Sequence, residues 1–273
     1  MQTDRVAFYP PDKIRREVQR RIDAAKRTAE TIDYLTFVPD GEPTLDIHLG
    51  EAIDLLRPLG KRIAVIGNAS LLWRSDVRRE LANADWVSVK VDAADERTWQ
   101  TVDRPHKALR FEEVQSGLLR FAQAFAGRLV TETMMVKGVN DDERQVENIA
   151  AFVGRLRPAI AYLAVPIRPP AETWVEPPDM DAMIGAYESF AGRVDQVEFL
   201  MGYEGNEFAL SEGIENSLLG ITSVHPMREE AVEELLSRAG EGWDVIRSLV
   251  ARRQLVKLTH EGHTFYVRKL PGR

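Results

Sequence analysis

The sequence predicts an α/β protein built on a mostly parallel sheet. Three observations carry this expectation. Short apolar runs rich in Val, Ile and Leu alternate with amphipathic stretches, at a spacing of roughly thirty residues that matches a βα unit. Polar and turn-forming residues stand directly after the apolar runs. Hydrophobic residues make up 44% of the 273 residues, enough to bury a sizeable core. Strands that alternate with helices either close into a barrel or stay open as a doubly wound sheet. Both arrangements place ligands at the C-terminal ends of the strands.

Each element has its own pattern. Residues 11–30 read as a helix, with Ile14, Val18, Ile22 and Ala25 on one face and Arg and Lys on the other. A strand at 32–38 ends in an Asp40-Gly41 turn, and a helix follows at 46–56. The next pair is a strand at 62–67 and a helix at 76–83. A strand at 86–92 leads into a long loop, then a helix at 112–126. A strand at 128–136 precedes a helix at 142–156 that presents Val146, Ile149, Val153 and Leu156. A strand at 161–167 runs into Arg168-Pro169-Pro170. A helix at 179–190 and a strand at 196–202 close this part.

The pattern changes near Asn206, which divides the chain into 1–205 and 206–273. In the second part, 226–239 and 242–253 read as helices. Strands at 255–258 and 264–269 join at a Glu261-Gly262 turn. Two helices followed by a hairpin suggest a small winged-helix-like module.

Composition narrows the function classes. No apolar run approaches the roughly 18 residues needed to span a membrane, and the first residues are polar, so a soluble cytoplasmic protein is expected. A net charge of −7 argues against a surface coated in nucleic acid, although a local basic patch is compatible with it. There is no cysteine. Disulfides, cysteine nucleophiles and thiolate-bound metals are therefore excluded for these residues. His48, His106, His225, His260 and His263 are scattered and form no ligand set.

Asp40-Gly41-Glu42-Pro43-Thr44-Leu45 is compatible with ordinary turn chemistry, and Asn68 and Ser70 with a helix cap. The strand at 86–92 alternates: Val87, Val89 and Val91 suit one packed face, whereas Ser88, Lys90 and Asp92 occupy the other. A charged Lys and Asp inside a parallel sheet are costly unless paired or ligand-bound. The alternative is an edge strand with one wet face. Thr131-Glu132-Thr133 shows the same departure in the next strand. These polar groups gather at one end of the inferred sheet and suggest a site for a polar small molecule.

The run Tyr34-Leu35-Thr36-Phe37-Val38-Pro39-Asp40-Gly41-Glu42-Pro43-Thr44-Leu45 resembles the Gly-Gly-Glu-Pro segment of radical S-adenosylmethionine (radical SAM) proteins. Val65-Ile66-Gly67-Asn68-Ala69-Ser70, Val89-Lys90-Val91-Asp92-Ala93, Asp103-Arg104-Pro105-His106, Thr131-Glu132-Thr133 to Asn140, and Pro166-Ile167-Arg168-Pro169-Pro170 fit in order. The resemblance covers about 8–205 and is closest to the wyosine-synthetase-like branch. It implies a partial (β/α) barrel. It implies that Glu42, with Gly41 and Asp40, holds the methionine amino end of S-adenosylmethionine. Asp40 stands where the family often has Gly. Asn68, Lys90 and Asp92 are implied as contacts to the methionine and ribose parts, with Glu132 facing the pocket and the backbone around Pro166 bordering the adenine. Carboxylates bind ammonium and ribose hydroxyls well, which agrees for Glu42 and Asp92. Lys90 suits a carboxylate and equally suits neutralising Asp92.

The family cleaves its cofactor with a [4Fe–4S] cluster on a C-x3-C-x2-C run, reduced by a partner such as ferredoxin or flavodoxin. With no cysteine present, that run is expected to lie upstream of Met1, so the barrel is expected to lack its first strand and the chain alone to be inactive. The alternative is a descendant that binds the cofactor without cleaving it. The substrate implied is a tRNA base or a protein glycine. A basic tail of Arg247, Arg252, Arg253, Lys257, Arg268, Lys269 and Arg273 leaves a nucleic-acid adaptor as a further reading.

Overall fold

The computed structural model describes residues 2–27, 31–38, 41–167, 169–200, 213–224, 226–260 and 262–269. Two compact units result: Met1–Pro166 with Trp174–Met201, and Ile167–Thr173 with Gly202–Arg273. The expected change of pattern at Asn206 lies outside the described residues.

The first unit is a six-stranded parallel sheet in sequential order, with strands β1 (Tyr34–Phe37), β2 (Arg62–Gly67), β3 (Trp86–Lys90), β4 (Arg128–Met134), β5 (Ile160–Ala164) and β6 (Val197–Leu200). The helices are α1 (Pro11–Arg27), α2 (Leu49–Leu56), α3 (Ser75–Leu81), α4 (Glu96–Val102), α5 (Phe111–Ala124), α6 (Glu143–Leu156) and α7 (Met180–Ala191). Strict sequential order with parallel crossovers means every crossover steps the same way along the sheet, as in a barrel.

Register fixes the two faces. Leu35 pairs with Ile63, Val65 with Val87, Val89 with Thr131 and Thr133 with Leu163, which places them on one face. This face is packed: Ile63, Val87, Val89, Ala161 and Leu163 join Ile53, Val77, Phe121, Ile149, Val153 and Phe190 of the helices in one core cluster. The other face carries Thr36, Ile66, Ser88, Lys90, Glu132, Tyr162 and Glu198. The helices that share the core cluster press on the first side, and the second side mixes these polar groups with buried Ala64, Val130 and Ile160.

Side-chain caps define several helix starts. Asp95, Asp142 and Asp179 accept hydrogen bonds from the backbone N–H of Thr98, Gln145 and Ala182 at 3.0, 3.1 and 3.0 Å. Each cap is worth about 1 kcal/mol. Asp95 also accepts from the Thr98 hydroxyl at 2.8 Å. This cap starts α4, where the sequence reading expected a long loop. Seven residues are too few to show an amphipathic repeat, so periodicity missed the helix. The alternative of an edge position for the Lys90 strand is also overturned, since β3 pairs with both β2 and β4.

The second unit packs α8 (Ile214–Val224), α9 (Glu229–Ala239) and α10 (Asp244–Ala251) against a small sheet. Its strands β7 (Met227–Arg228), β8 (Leu255–His260) and β9 (His263–Arg268) are antiparallel in the order β7-β9-β8. Leu218, Met227, Val232, Leu235, Leu249, Leu255 and Tyr266 form its own core. The helix expected over 226–239 starts later, because Met227 and Arg228 pair with β9 instead. Helix α8 was not anticipated. Glu261 of the expected turn lies outside the described residues.

Candidate functional site

The site is built from the segments that follow β1, β2, β3 and β4. After β1, Asp40 lies outside the described residues and Gly41 is exposed. Glu42 is only 6% exposed and caps a short 3-10 turn, Pro43–Leu45. Its carboxylate accepts hydrogen bonds from the Thr44 backbone N–H at 3.2 Å, the Thr44 hydroxyl at 2.6 Å and the Asn68 backbone N–H at 2.5 Å. One side chain thus clasps the loop after β1 to the loop after β2. Burial pushes the Glu42 carboxyl above the ordinary range, and the three donors partly offset this. The Asn68 side chain is turned to its own loop, accepting from the Ser70 N–H at 2.9 Å.

The loop bearing Glu42 is pinned from a second direction. The Arg5 guanidinium, 6% exposed, donates to the carbonyls of Thr44 at 2.8 Å and Asp46 at 2.7 Å. It also donates to Asp76 at 3.1 Å and Glu80 at 2.9 Å on α3.

After β3 the polar groups converge. Lys90 and Glu132 are direct register partners on neighbouring strands, so their side chains share the polar face. Lys90 Nζ lies 3.5 Å from Asp92 and 3.9 Å from Glu132. The Asp92 side chain is 1% exposed and that of Lys90 is 33% exposed. Asp92 also accepts from the Met134 N–H at 2.7 Å, tying the end of β3 to the end of β4. The pull of Asp92, and then of Glu132, raises the Lys90 ammonium above its usual pKa against the opposing effect of burial.

Two contributors were not among the residues singled out for the cofactor. Asp103, the C-cap of α4, lies close to Asp92, and desolvation followed by the Asp92 charge pushes its carboxyl up to about 9. The Asp103-Arg104-Pro105-His106 segment was noted, but nothing in its pattern announces a contact with Asp92, because chain folding alone creates that contact. Asn140 is fully buried; its amide donates to the carbonyls of Asp92 at 2.9 Å and Met134 at 2.8 Å, and its oxygen accepts from the Val136 N–H at 2.7 Å. It locks the loops after β3 and β4 together. Pro166 is buried after β5, with the Val165 N–H held by the Leu200 carbonyl at 3.4 Å.

The structure therefore brings Lys90, Asp92 and Glu132 together with Asp103, and separately joins Glu42 to the backbone of Asn68. Among the described side chains, the Lys90 ammonium thus faces the carboxyl groups of Asp92, Glu132 and Asp103.

The Radical SAM superfamily profile matches residues 2–149. The UPF0026 protein MJ1312 of Methanocaldococcus jannaschii is 41% identical over 273 residues, covering 99% of this chain and 84% of that protein. A radical SAM methyltransferase from Sphaerobacter thermophilus has a similar structure, with a TM-score of 0.55 at 15% identity over 72% of this chain and 59% of that one. The protein TYW1, solved with a lysine-pyruvate adduct, gives 0.52 at 15% identity over 68% of this chain and 64% of that one. The α/β fold with its six-stranded parallel sheet is that of radical SAM partial barrels. This chain belongs to the Radical SAM superfamily.

Superfamily membership implies S-adenosylmethionine and a [4Fe–4S] cluster. The acid-rich cluster around Lys90 fits the first group, whose sulfonium and ammonium are cationic and whose carboxylate suits a lysine. The residues present do not fit the second. The chain has no cysteine, and among the described residues no group of three or more His, Cys, Asp or Glu side chains is placed to hold a metal ion. No helix of the described residues is long and apolar enough to cross a membrane.

Proposed function

We propose that this chain is the S-adenosylmethionine-binding part of a radical SAM enzyme of the wyosine-synthetase-like branch. The observation that carries this reading is the Lys90–Asp92–Glu132 cluster at the C-terminal ends of two central strands, where parallel α/β sheets hold ligands. In this reading Lys90 meets the methionine carboxylate, Glu132 faces the cationic end, Asp92 takes a ribose hydroxyl, and the Gly41-Glu42 turn holds the amino group. Asn68 and the backbone at Pro166 complete the enclosure. With one electron from a reduced [4Fe–4S] cluster held outside these residues, bound S-adenosylmethionine would break at its C5′–S bond to methionine and a 5′-deoxyadenosyl radical, which would supply hydrogen-abstraction chemistry. This chain's own residues bind, orient and exclude water.

The cluster ligands are proposed to come from a segment outside these 273 residues. The absence of cysteine supports this, as does the greater length of the archaeal relative. A segment of that kind would supply a further strand beside β1. The absence of cysteine also favours a second reading for the chain by itself, namely cofactor binding without cleavage. The C-terminal unit reads as winged-helix-like, supported by three helices followed by the β8-β9 hairpin.

Calorimetric titration of the 273-residue chain with S-adenosylmethionine, without iron or sulfide, tests the binding assignment. One-site binding is expected, weakened at least about tenfold in Glu132→Gln, which corresponds to about 1.4 kcal/mol. A folded wild-type chain that gives no binding heat rejects it. Sequencing the coding DNA upstream of Met1 tests the source of the cluster. An in-frame C-x3-C-x2-C run is expected there, and a stop codon without one would favour the second reading.

A further inference from the structure

The backbone ladder between β3 and β4 ends where the Lys90 cluster begins. Among the described residues its last rung is the Val91 N–H donating to the Glu132 carbonyl at 2.9 Å. Beyond that rung side chains take over. The Thr133 hydroxyl donates to the Val91 carbonyl at 2.8 Å, and Asp92 Oδ1 accepts from the Met134 N–H at 2.7 Å. Asn140 completes the set, donating to the carbonyls of Asp92 and Met134 and accepting from the Val136 N–H. Thr133 and Asn140 are both fully buried.

Three of these bonds close into a ring. Asp92 Oδ1 holds the Met134 N–H, the Met134 carbonyl holds the Asn140 amide, and the same amide holds the Asp92 carbonyl. The ring engages one oxygen of Asp92 and leaves Oδ2 turned to Lys90 Nζ at 3.5 Å. A continued backbone ladder would satisfy the same buried groups with any residue at position 92, and would leave its side chain free to change rotamer. Asparagine suits position 140 because one planar amide presents two donors and an acceptor. An ionised aspartate has no donor, and a serine has only one. Thr133 lies on the packed face, in register with Leu163, so its hydroxyl acts on the site only through the Val91 carbonyl.

We propose that Asn140 and Thr133 are positioning residues of the cofactor site. They fix the Asp92 carboxylate, and through it the Lys90 ammonium, in the orientation that meets the ligand. The ordering cost then falls on folding and not on binding. Neither residue touches the ligand itself. The inference rests on the proposed S-adenosylmethionine site.

The test is a double-mutant cycle on the whole chain. It is read by calorimetric titration with S-adenosylmethionine at a temperature where circular dichroism shows each variant folded. Asn140→Ala is expected to weaken binding at least about tenfold, as for the loss of one well-placed charged contact. With Asp92→Asn already in place, adding Asn140→Ala is expected to change affinity less than about twofold, because the carboxylate it positions is gone. Equal losses in the two backgrounds are what a general loosening of the fold would give, and they overturn the inference. Thr133→Val is nearly isosteric and carries the same cycle should Asn140→Ala fail to fold. Its loss is expected to be about threefold, again confined to the background with Asp92 intact. Wild-type affinity in the folded variants overturns the inference and leaves the cofactor reading standing. A folded wild-type chain that gives no binding heat rejects that reading, and the inference with it.

Discussion

The Glu42 carboxylate occupies the space beside the α-carbon of Gly67. A Cβ at position 67 would stand 2.9 Å from Oε1 and 3.1 Å from Oε2. Glycine at the end of β2 is thus required by the approach of a charged group from the neighbouring loop and not by its own backbone torsion. Gly67→Ala should displace the carboxylate from the Asn68 N–H. The expected cost is about 1–3 kcal/mol, typical of overpacking a close contact. Denaturant melts check this, and Gly41→Ala, at a position with open space around it, should fall within about 1 kcal/mol of wild type.

Arg5 holds the same loop from outside. Its guanidinium satisfies two carbonyls of the Glu42 loop and pairs with two carboxylates of α3. Arg5→Met should destabilise by about 3 kcal/mol, the low end for breaking a buried pair, because Asp76 and Glu80 keep contact with water. Urea unfolding measures it. A loss under 1 kcal/mol would mean that water replaces the guanidinium.

Lys90 and Asp92 differ in how each tolerates the loss of the other. Lys90 is one-third exposed, while the Asp92 side chain is all but sealed off. Lys90→Met therefore strands a buried carboxylate and should cost about 3 kcal/mol or more. Asp92→Asn keeps the shape and leaves Lys90 with Glu132 and solvent, so it should cost less, about 1–2 kcal/mol. The order of the two losses in a denaturation series is the test, and a reversed order would assign the burial to the wrong partner.

The sheet and the clustered site were unequally legible in the sequence. Strands β2 to β5 declare themselves through Val- and Ile-rich runs, because a face packed under helices must be apolar. Lys90 and Asp92 stand out by breaking that pattern. Glu132 stands out for the same reason, and its register opposite Lys90 explains why both departures occur at the same level of the sheet. Asp103, Asn140 and Arg5 were not legible in these roles. Arg5 acts on Glu80 and Asn140 on Asp92 over long sequence distances, Asp103 approaches Asp92 across the turn of α4, and no local pattern encodes these pairings. The short helix α4 was missed because seven residues give fewer than two helical repeats.

The pH dependence of stability follows from carboxyl groups shifted in opposite directions. Asp103 is pushed by desolvation and by Asp92 from its usual 3.8 up to about 9. The folded state then holds a proton that the unfolded chain releases. Stability from this group is complete below about pH 4 and is lost as the pH rises toward 9. Glu42, raised by burial, has the same sign. Asp76 is shifted the other way, lowered by the hydrogen bond from Arg74, so its contribution is present above its usual 3.8 and fades in acid. Stability should therefore peak on the acidic side of neutrality and decline toward pH 9. Urea midpoints at pH 5, 7 and 9 test this, with Asp103→Asn as the comparison. The variant cannot release the proton, so its decline should be shallower and it should exceed wild type at pH 9. Parallel declines in the two proteins would show that Asp103 is ionised in the folded state, and the negative charge beside Lys90 would then be greater than a neutral Asp103 allows.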